Sequence, residues 1–341
     1  MLRGIPTVLG VFTSFDVCLK GLLGFPQMAI ARNLAQASTF GLLWLDPKGK
    51  IVIKFDGTTL EGVSETALFT LWCRASEAAR PDSIIDDAQA VRILERIDYP
   101  YPERFGEANQ IYAIRALTFD SVVRSFLREH PDGTVVALAE GLQTSYWRLG
   151  RPPCSWISVD LPPVMALREK LLPKEDHVTA AGVSALEPDW MDLIEPSSPV
   201  LITAEGLLYY FDQPLALGLI KDCSARFPNG RFVFDSVPRW WAGRKHKAFN
   251  VRSALSRAPT GSAGYVIPPM PFGISPTEIY GFPKQFPGVE SARKITPPPG
   301  RGLQGRIVQA GYSSPVVPNS WRFAITELRF GAGGNAEDAK C

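Results

Sequence analysis

Two short stretches carry residue types that could hold a nucleotide. In TVVALAEGLQTSYWRL, Thr134 to Leu149, an apolar run rich in β-branched residues stops at Glu140-Gly141. In SWISVD, Ser155 to Asp160, a second such run ends on an acid 19 residues after Gly141. A glycine turn between a strand and a helix N-terminus leaves free backbone N–H groups beside a crevice. An acid about 20 residues further on, at the tip of the next strand, is placed to accept the ribose hydroxyl hydrogens of an adenosine cofactor. The plainer role for Asp160 is to cap the helix that follows it, LPPVMALREKLL.

Positioning such a crevice requires a sheet, and the chain supplies one. Pro131-Asp132-Gly133 is a turn signal that opens the first strand, Thr134 to Ala139, after which Thr144 can cap a short helix turning Tyr146, Trp147 and Leu149 inward. Val178 to Val183, Pro199 to Ala204 and Arg231 to Asp235 read as further strands. Between them lie a helix from Leu161 to Leu172, its Pro162 and Pro163 tolerated in the first turn, and a second from Gln213 to Phe227 capped by Asp212. Strands alternating with helices demand a parallel sheet. Upstream, apolar spacing predicts helices over Glu65 to Arg80 (capped by Ser64, with Ala67, Leu68, Leu71 and Trp72 inward), Asp87 to Ile97, and Asn109 to Arg128. Asp46 to Gly49 is a turn before a short strand, Ile51 to Phe55. Beyond Asp235 the chain reads as loop-rich, with late strands at Val289 to Ile295 and Phe323 to Phe330.

In this order, VALAEGLQTSYWRL, WISVDLPPVMALREKLLP, LITAEGLLYYF and FVFDSVPRWW resemble the leucine carboxyl methyltransferase family, in its bacterial branch acting on polyketide and other small-molecule acids or hydroxyls. The resemblance runs from Thr66 to Phe330 and implies an α/β, Rossmann-like class I fold, mostly parallel with an antiparallel last strand, that binds S-adenosylmethionine. It places cofactor contacts at Ala139, Glu140, Gly141, Asp160, Leu161, Ser184, Ala185, Leu186 and Glu205. It also puts Arg115 where the family binds the methionine carboxylate, a task suited to a planar guanidinium, though an exposed helix arginine is the bland account. Arg74 matches a second family position, with a solvated helix charge as the alternative. The family pattern Gly-x-Gly-Leu-Asp/Glu-Thr is broken here, because Ala139 replaces the first glycine and Gln143 the acid.

Methyl transfer from a sulfonium is an in-line displacement, so the protein contributes positioning and water exclusion. Acids are expected near the cationic donor, and Glu205 in the AEGLLYY block is the first candidate, with Glu140 second. Helix capping or ion pairing is their plainer role. Tyr210 matches the family tyrosine and would line the acceptor pocket, as would Trp240 and Trp241, unless all three only pack. A carboxylate acceptor is already ionised at neutral pH. A hydroxyl acceptor gains from a base, and His177 and His246 are the histidines in the catalytic half. Two other classes compete: a relative that binds the cofactor without turnover, and a nicotinamide oxidoreductase. For the latter, the three fingerprint glycine positions hold Ala139, Gly141 and Thr144, one match in three.

Composition frames these expectations. The chain of 341 residues divides into an N-terminal extension (1–60), a helical cap (61–130), a Rossmann-like catalytic domain (131–330) and a mobile tail (331–341). Hydrophobic residues at 45% and charged residues at 21% fit a globular enzyme, and a net charge of +2 argues against a nucleic-acid surface. Cysteines at 18, 73, 154, 223 and 341 lack metal-ligand or disulfide spacing, which suits a reducing cytoplasm, and the three histidines are too dispersed for a metal site. Residues 1–45 carry only Arg3, Asp16, Lys20 and Arg32 as charges, yet no uncharged run reaches a membrane span of about 18 residues. The segment reads as peripheral helices, with Met28 as an alternative start. The expected partner is a small-molecule acceptor.

Overall fold

The computed structural model describes residues 41–45, 51–244, 246–247 and 265–332. The expectations for residues 1–40, the turn at 46–49, the side chain of His246 and the tail beyond residue 332 fall outside the described residues. The chain divides into two compact units, Met1–Asp56 and Gly57–Cys341. In the first, β1 (Gly41–Leu45) and β2 (Ile51–Asp56) form an antiparallel hairpin with Leu43 opposite Ile53.

The second unit begins with four helices, α1 (Thr66–Ala78), α2 (Ala88–Glu95), α3 (Tyr101–Phe105) and α4 (Ile111–Glu129). Asp87, expected to be the first residue of the second helix, stands just before it as the N-cap, accepting from the Ala90 amide at 3.0 Å. Ser64 does not cap α1, whose N-cap is Glu65 with no side-chain cap bond.

The alternation then appears in full. Strand β3 (Thr134–Leu138) leads to α5 (Ser145–Arg148), β4 (Ser155–Asp160), α6 (Pro162–Leu171) and β5 (Val178–Gly182). After them come β6 (Val200–Ala204), α7 (Gln213–Arg226) and β7 (Arg231–Ser236). Short helices α8 (Pro276–Ile279) and α9 (Phe282–Gln285) precede β8 (Val289–Ile295), α10 (Gly302–Ser313) and β9 (Ala324–Phe330). The seven sheet strands lie in the order β8-β9-β7-β6-β3-β4-β5. Strands β3 to β7 pair in parallel, and β9 enters antiparallel between β7 and β8.

Both faces of this sheet are covered, so its central strands are buried throughout rather than on alternate residues. Val136, Ile157, Ile202 and Phe232 point to one core, which holds Trp190 and the Leu219–Ile220 face of α7. Val135, Trp156, Leu201 and Val233 point to the other, against Phe119, Val122 and Phe126 of α4. The chain leaves β3 in one direction through β4 and β5 and returns beside it as β6 and β7. The carboxyl ends of β3 and β6 therefore flank the switch point where open α/β sheets bind ligands.

The structure departs from the sequence reading in several places, and two of them bear on the site. Helix α10 occupies a segment expected to be loop. Its glycines mask a helical pattern, and Gly305 is required by contact: a Cβ there would sit 2.1 Å from the Gly300 carbonyl carbon. Strand β3 also ends one residue early, because Ala139 turns out of the sheet with φ at +49°.

Candidate active site

A cavity of about 630 Å³ opens over the carboxyl ends of β3, β4, β6 and β7. Its floor is the turn after β3. Gly141 has φ at +56°, and a Cβ there would approach the Ala67 Cβ of α1 to 3.3 Å, so the turn lies close under the helical cap. Asp160 closes β4 opposite this turn. One carboxylate oxygen accepts from the Gly141 amide and the other from the Leu161 amide, both at 2.7 Å. Each oxygen keeps acceptor capacity beyond these bonds. Burial nevertheless pushes the Asp160 carboxyl above the usual carboxylate range, against the pull of those two amides. Ser184 and Ala185 line the same wall, and exposed Leu161 forms its lip. Leu186 is exposed outside the wall, its amide donating to the Ser184 hydroxyl at 3.2 Å.

Glu140 lines the cavity but is held from behind. Arg168 of α6 reaches its carboxylate at 2.6 Å and also donates to the carbonyls of Gly141 and Gln143, at 2.7 and 3.0 Å. One guanidinium thus fixes the turn through both side chain and backbone. Thr144 is the residue before α5, as expected, but its hydroxyl makes no cap bond and donates instead to Asp87 at 2.6 Å.

Arg115 of α4 reaches the ends of β6 and β7. Its Nε donates to Glu205 at 2.9 Å, and its Nη1 donates to the Tyr209 hydroxyl at 3.1 Å and to Asp235 at 3.2 Å. It is 8% exposed, which removes the exposed-arginine account. Burial works against its charge, but Tyr209, Asp235 and Glu205 outweigh it and hold the guanidinium firmly protonated. Gln143, standing where the family pattern has an acid, donates to the same Glu205 oxygen at 2.7 Å. Burial raises the Glu205 pKa even with Arg115 and Arg74 nearby. Asp235 in turn accepts from the Gly206 amide at 2.6 Å. Gly206 has φ at +76°, and a Cβ on it would meet the Arg115 guanidinium at 3.1 Å.

Aromatic rings from distant parts of the chain, interspersed with aliphatic side chains, line much of the remaining wall. Tyr210 lies among them, packed edge-on to Tyr209 at 4.8 Å, with burial pushing its phenol up to about 12. Trp241 is on the wall; Trp240 stands outside it, donating its Nε1 to the Trp321 carbonyl. His177 is exposed at the opposite, amino end of β5. Sequence reading missed Tyr112, Tyr265, Tyr312, Asp235 and Ser236 as wall residues. Only Asp235 carried a usable signal, as an acid at a strand tip. The solvated role for Arg74 is wrong: it is fully buried, bonded to the Leu142 carbonyl at 2.7 Å and paired with Asp87. Among the described residues no cluster could hold a metal, and no helix is long and apolar enough to cross a membrane.

A doubly wound sheet with one antiparallel strand near its edge, and a glycine turn facing an acid at its switch point, defines the Rossmann-like class of methyltransferase folds. The leucine carboxyl methyltransferase family profile matches residues 67–223. The tetracenomycin polyketide synthesis O-methyltransferase TcmP of Streptomyces glaucescens is 36% identical over 185 residues, 53% of this chain and 68% of that protein. The S-adenosyl-L-methionine-dependent methyltransferase dpfgK of Gibberella zeae is 28% identical over 214 residues, 55% of this chain and 68% of that protein. Among solved structures, the N-methyltransferase NodS of Bradyrhizobium japonicum in complex with S-adenosyl-L-homocysteine is 12% identical. Its TM-score is 0.38, over 73% of this chain and 98% of that one. The chain belongs to the leucine carboxyl methyltransferase family, and it is a methyltransferase. That membership removes the nicotinamide reading.

The donor implied by this family is S-adenosylmethionine, and the crevice fits it. Among the described residues four carboxylates line the cavity, those of Glu140 (paired from behind by Arg168), Asp160, Glu205 and Asp235, against one arginine, Arg115. A low-dielectric hollow with that excess suits a cationic guest.

Proposed function

We propose that the chain transfers the methyl group of S-adenosylmethionine to a carboxylate or hydroxyl oxygen of a small molecule. One observation carries this reading: the cleft lined by Gly141 and Asp160 and the aromatic chamber beyond Arg115 form a single cavity. A donor in the cleft and an acceptor in the chamber would meet without crossing solvent. Asp160 takes the ribose hydroxyls. Arg115 takes the methionine carboxylate through Nη2, since Nε and Nη1 are occupied by protein acceptors. Glu205 supplies negative charge near the sulfonium, its second oxygen free of the bonds that Arg115 and Gln143 make to the first. Bound there, the sulfonium supplies an activated methyl group. The protein's own work is to orient the two partners and exclude water.

Relatives named for polyketide synthesis and for S-adenosylmethionine-dependent transfer support the same reading. The test is S-adenosylhomocysteine production over a panel of small acids and phenols, alongside calorimetry with S-adenosylmethionine. Donor binding without turnover on any acceptor would favour the alternative of a non-catalytic binder. The left-handed Ala139 in the turn is the observation on that side.

A further inference from the structure

The acceptor half of the cavity carries two groups of aromatic rings, set among aliphatic side chains such as Ile111, Ile267, Met270, Ile307 and Val308. On one side Phe69 of α1 packs against Tyr112 of α4 at 5.0 Å and against Tyr265 at 5.4 Å. A second group joins Trp241 to Phe323 at 5.2 Å and Phe323 to Tyr312 of α10 at 6.4 Å. All six line the one cavity. They come from segments far apart in sequence, so their convergence is a property of the folded wall and not of one aromatic-rich motif. Among the described residues neither histidine nor lysine lines it.

Two hydroxyls in this wall lack partners. The Tyr265 phenol and the Ser236 hydroxyl are buried with no hydrogen-bond partner among the described residues. Buried polar groups are almost always satisfied, so an orphan in a cavity wall marks a place for a ligand's polar atom. Ser236 follows Asp235 at the end of β7, beside the Arg115 cluster and so next to the donor half. Tyr265 sits with the Phe69 group, its ring also touching Phe105 at 4.8 Å. Burial raises its phenol pKa, which keeps it a proton donor.

We infer that the acceptor is a planar aromatic ring system bearing oxygen substituents, held between the ring groups and hydrogen-bonded by Ser236 and Tyr265. Flat rings gain from offset and edge contacts with aromatic walls in a way that saturated skeletons of equal size do not. Oxygen substituents on such a guest would satisfy the two orphaned hydroxyls, which a bare hydrocarbon or an aliphatic acid would leave unpaired. This inference rests on the methyl-transfer reading, because it uses the same cavity, but it concerns the acceptor half alone.

The test is equilibrium binding to the full chain, measured by calorimetry with a hydroxynaphthoic acid, its fully saturated ring analogue and a peptide ending in leucine. Binding of S-adenosylhomocysteine is measured separately. The aromatic acid should bind about tenfold tighter than the saturated one, the scale of one or two ring contacts. Tyr265→Phe should weaken the hydroxylated ring by about three- to tenfold while leaving unsubstituted naphthoic acid unchanged. Equal affinity for the aromatic and saturated acids, or a preference for the peptide, would overturn the inference even if S-adenosylhomocysteine binds normally. Loss of S-adenosylhomocysteine binding in wild-type protein would instead count against the methyl-transfer reading. The ligand comparison uses unmodified protein, so a variant that fails to fold does not remove the test.

Discussion

Two buried charge clusters draw on the N-terminal helices α1, α2 and α4, and they are built on opposite principles. In one, Arg74 and Arg148 meet Asp87 and Asp120, two cations against two anions, with side chains no more than 3% exposed. Arg148 spends Nε, Nη1 and Nη2 on Asp87, Asp120, Thr144 and Ser145 at 2.8 to 3.0 Å. In the other, Arg115 meets Glu205 and Asp235, one cation against two anions, on the cavity wall. The balanced cluster ties α1, α2 and α4 to α5, just beyond the glycine turn. The unbalanced one leaves a negative excess beside a hollow. A cationic donor would restore its balance. Balance therefore separates scaffold from site where burial alone does not.

The largest expected effect breaks the balanced cluster. Asp87→Ala leaves two buried guanidiniums with one carboxylate and removes the cap of α2, so stability should fall by about 3–5 kcal/mol. Urea denaturation reads this directly. Glu205→Gln, by contrast, lowers the negative excess without orphaning Arg115, which keeps Asp235 and Tyr209. Its cost should appear in donor affinity and turnover, with stability changed by under about 1 kcal/mol. Equal stability losses in the two variants would erase the distinction.

Asp160→Ala should come next. It removes the carboxylate proposed for the ribose and also the anchor of the Gly141 amide. Donor affinity should drop by about 2–3 kcal/mol, the scale of hydrogen bonds to a charged group, as read by calorimetry. An unchanged dissociation constant would take the ribose role away from Asp160.

The two clusters should also part along the pH axis. Burial pushes the Asp87 pKa up, but Arg148 and Arg74 outweigh it and hold it below the ordinary carboxylate value. A depressed folded pKa gives stability that is present above the unfolded pKa of about 4 and is lost as pH falls through the folded one. Glu205 shifts the other way, raised by burial. Its proton stabilises the fold fully below the unfolded pKa, and that contribution disappears as pH rises through the raised folded pKa. Protonation at the acid end would then reduce the negative charge facing the donor while the fold still stands. On acidification, donor affinity should therefore decline at a higher pH than the unfolding transition, and Glu205→Gln should lessen that decline, the remainder belonging to Asp160, whose carboxyl burial also raises. Coincident transitions would mean the site has no titration of its own.

Much of this architecture was legible in the chain because it is local. The strands β3, β4, β6 and β7 are apolar runs bounded by turns, and Gly141 with Asp160 sits at a spacing fixed by strand and helix length. The clusters were not legible. Arg74 meets a carbonyl 68 residues away and Arg115 meets carboxylates 90 and 120 residues away, so neither burial nor pairing leaves a periodic trace. The aromatic wall hid for the same reason, and α10 hid because Gly302, Gly305 and Gly311 lower its helical propensity. Tertiary contact decides all of these.

Ala139 is where local and tertiary demands conflict, and it yields the smallest effect. The turn needs a left-handed residue at this point, and alanine adopts φ of +49° at a cost of about 1–2 kcal/mol relative to an unstrained backbone. Glycine would relieve that strain but would lose about 0.4–1 kcal/mol to the greater freedom of its unfolded chain. Ala139→Gly should therefore stabilise the fold by no more than about 1.6 kcal/mol, seen as a modest shift in the denaturation midpoint. Because residue 139 also lines the cavity, losing its methyl group gives the donor room, and S-adenosylmethionine affinity should rise by a few-fold. A gain in stability with no gain in affinity would place the conflict in the backbone alone and leave the fit of the donor independent of this side chain.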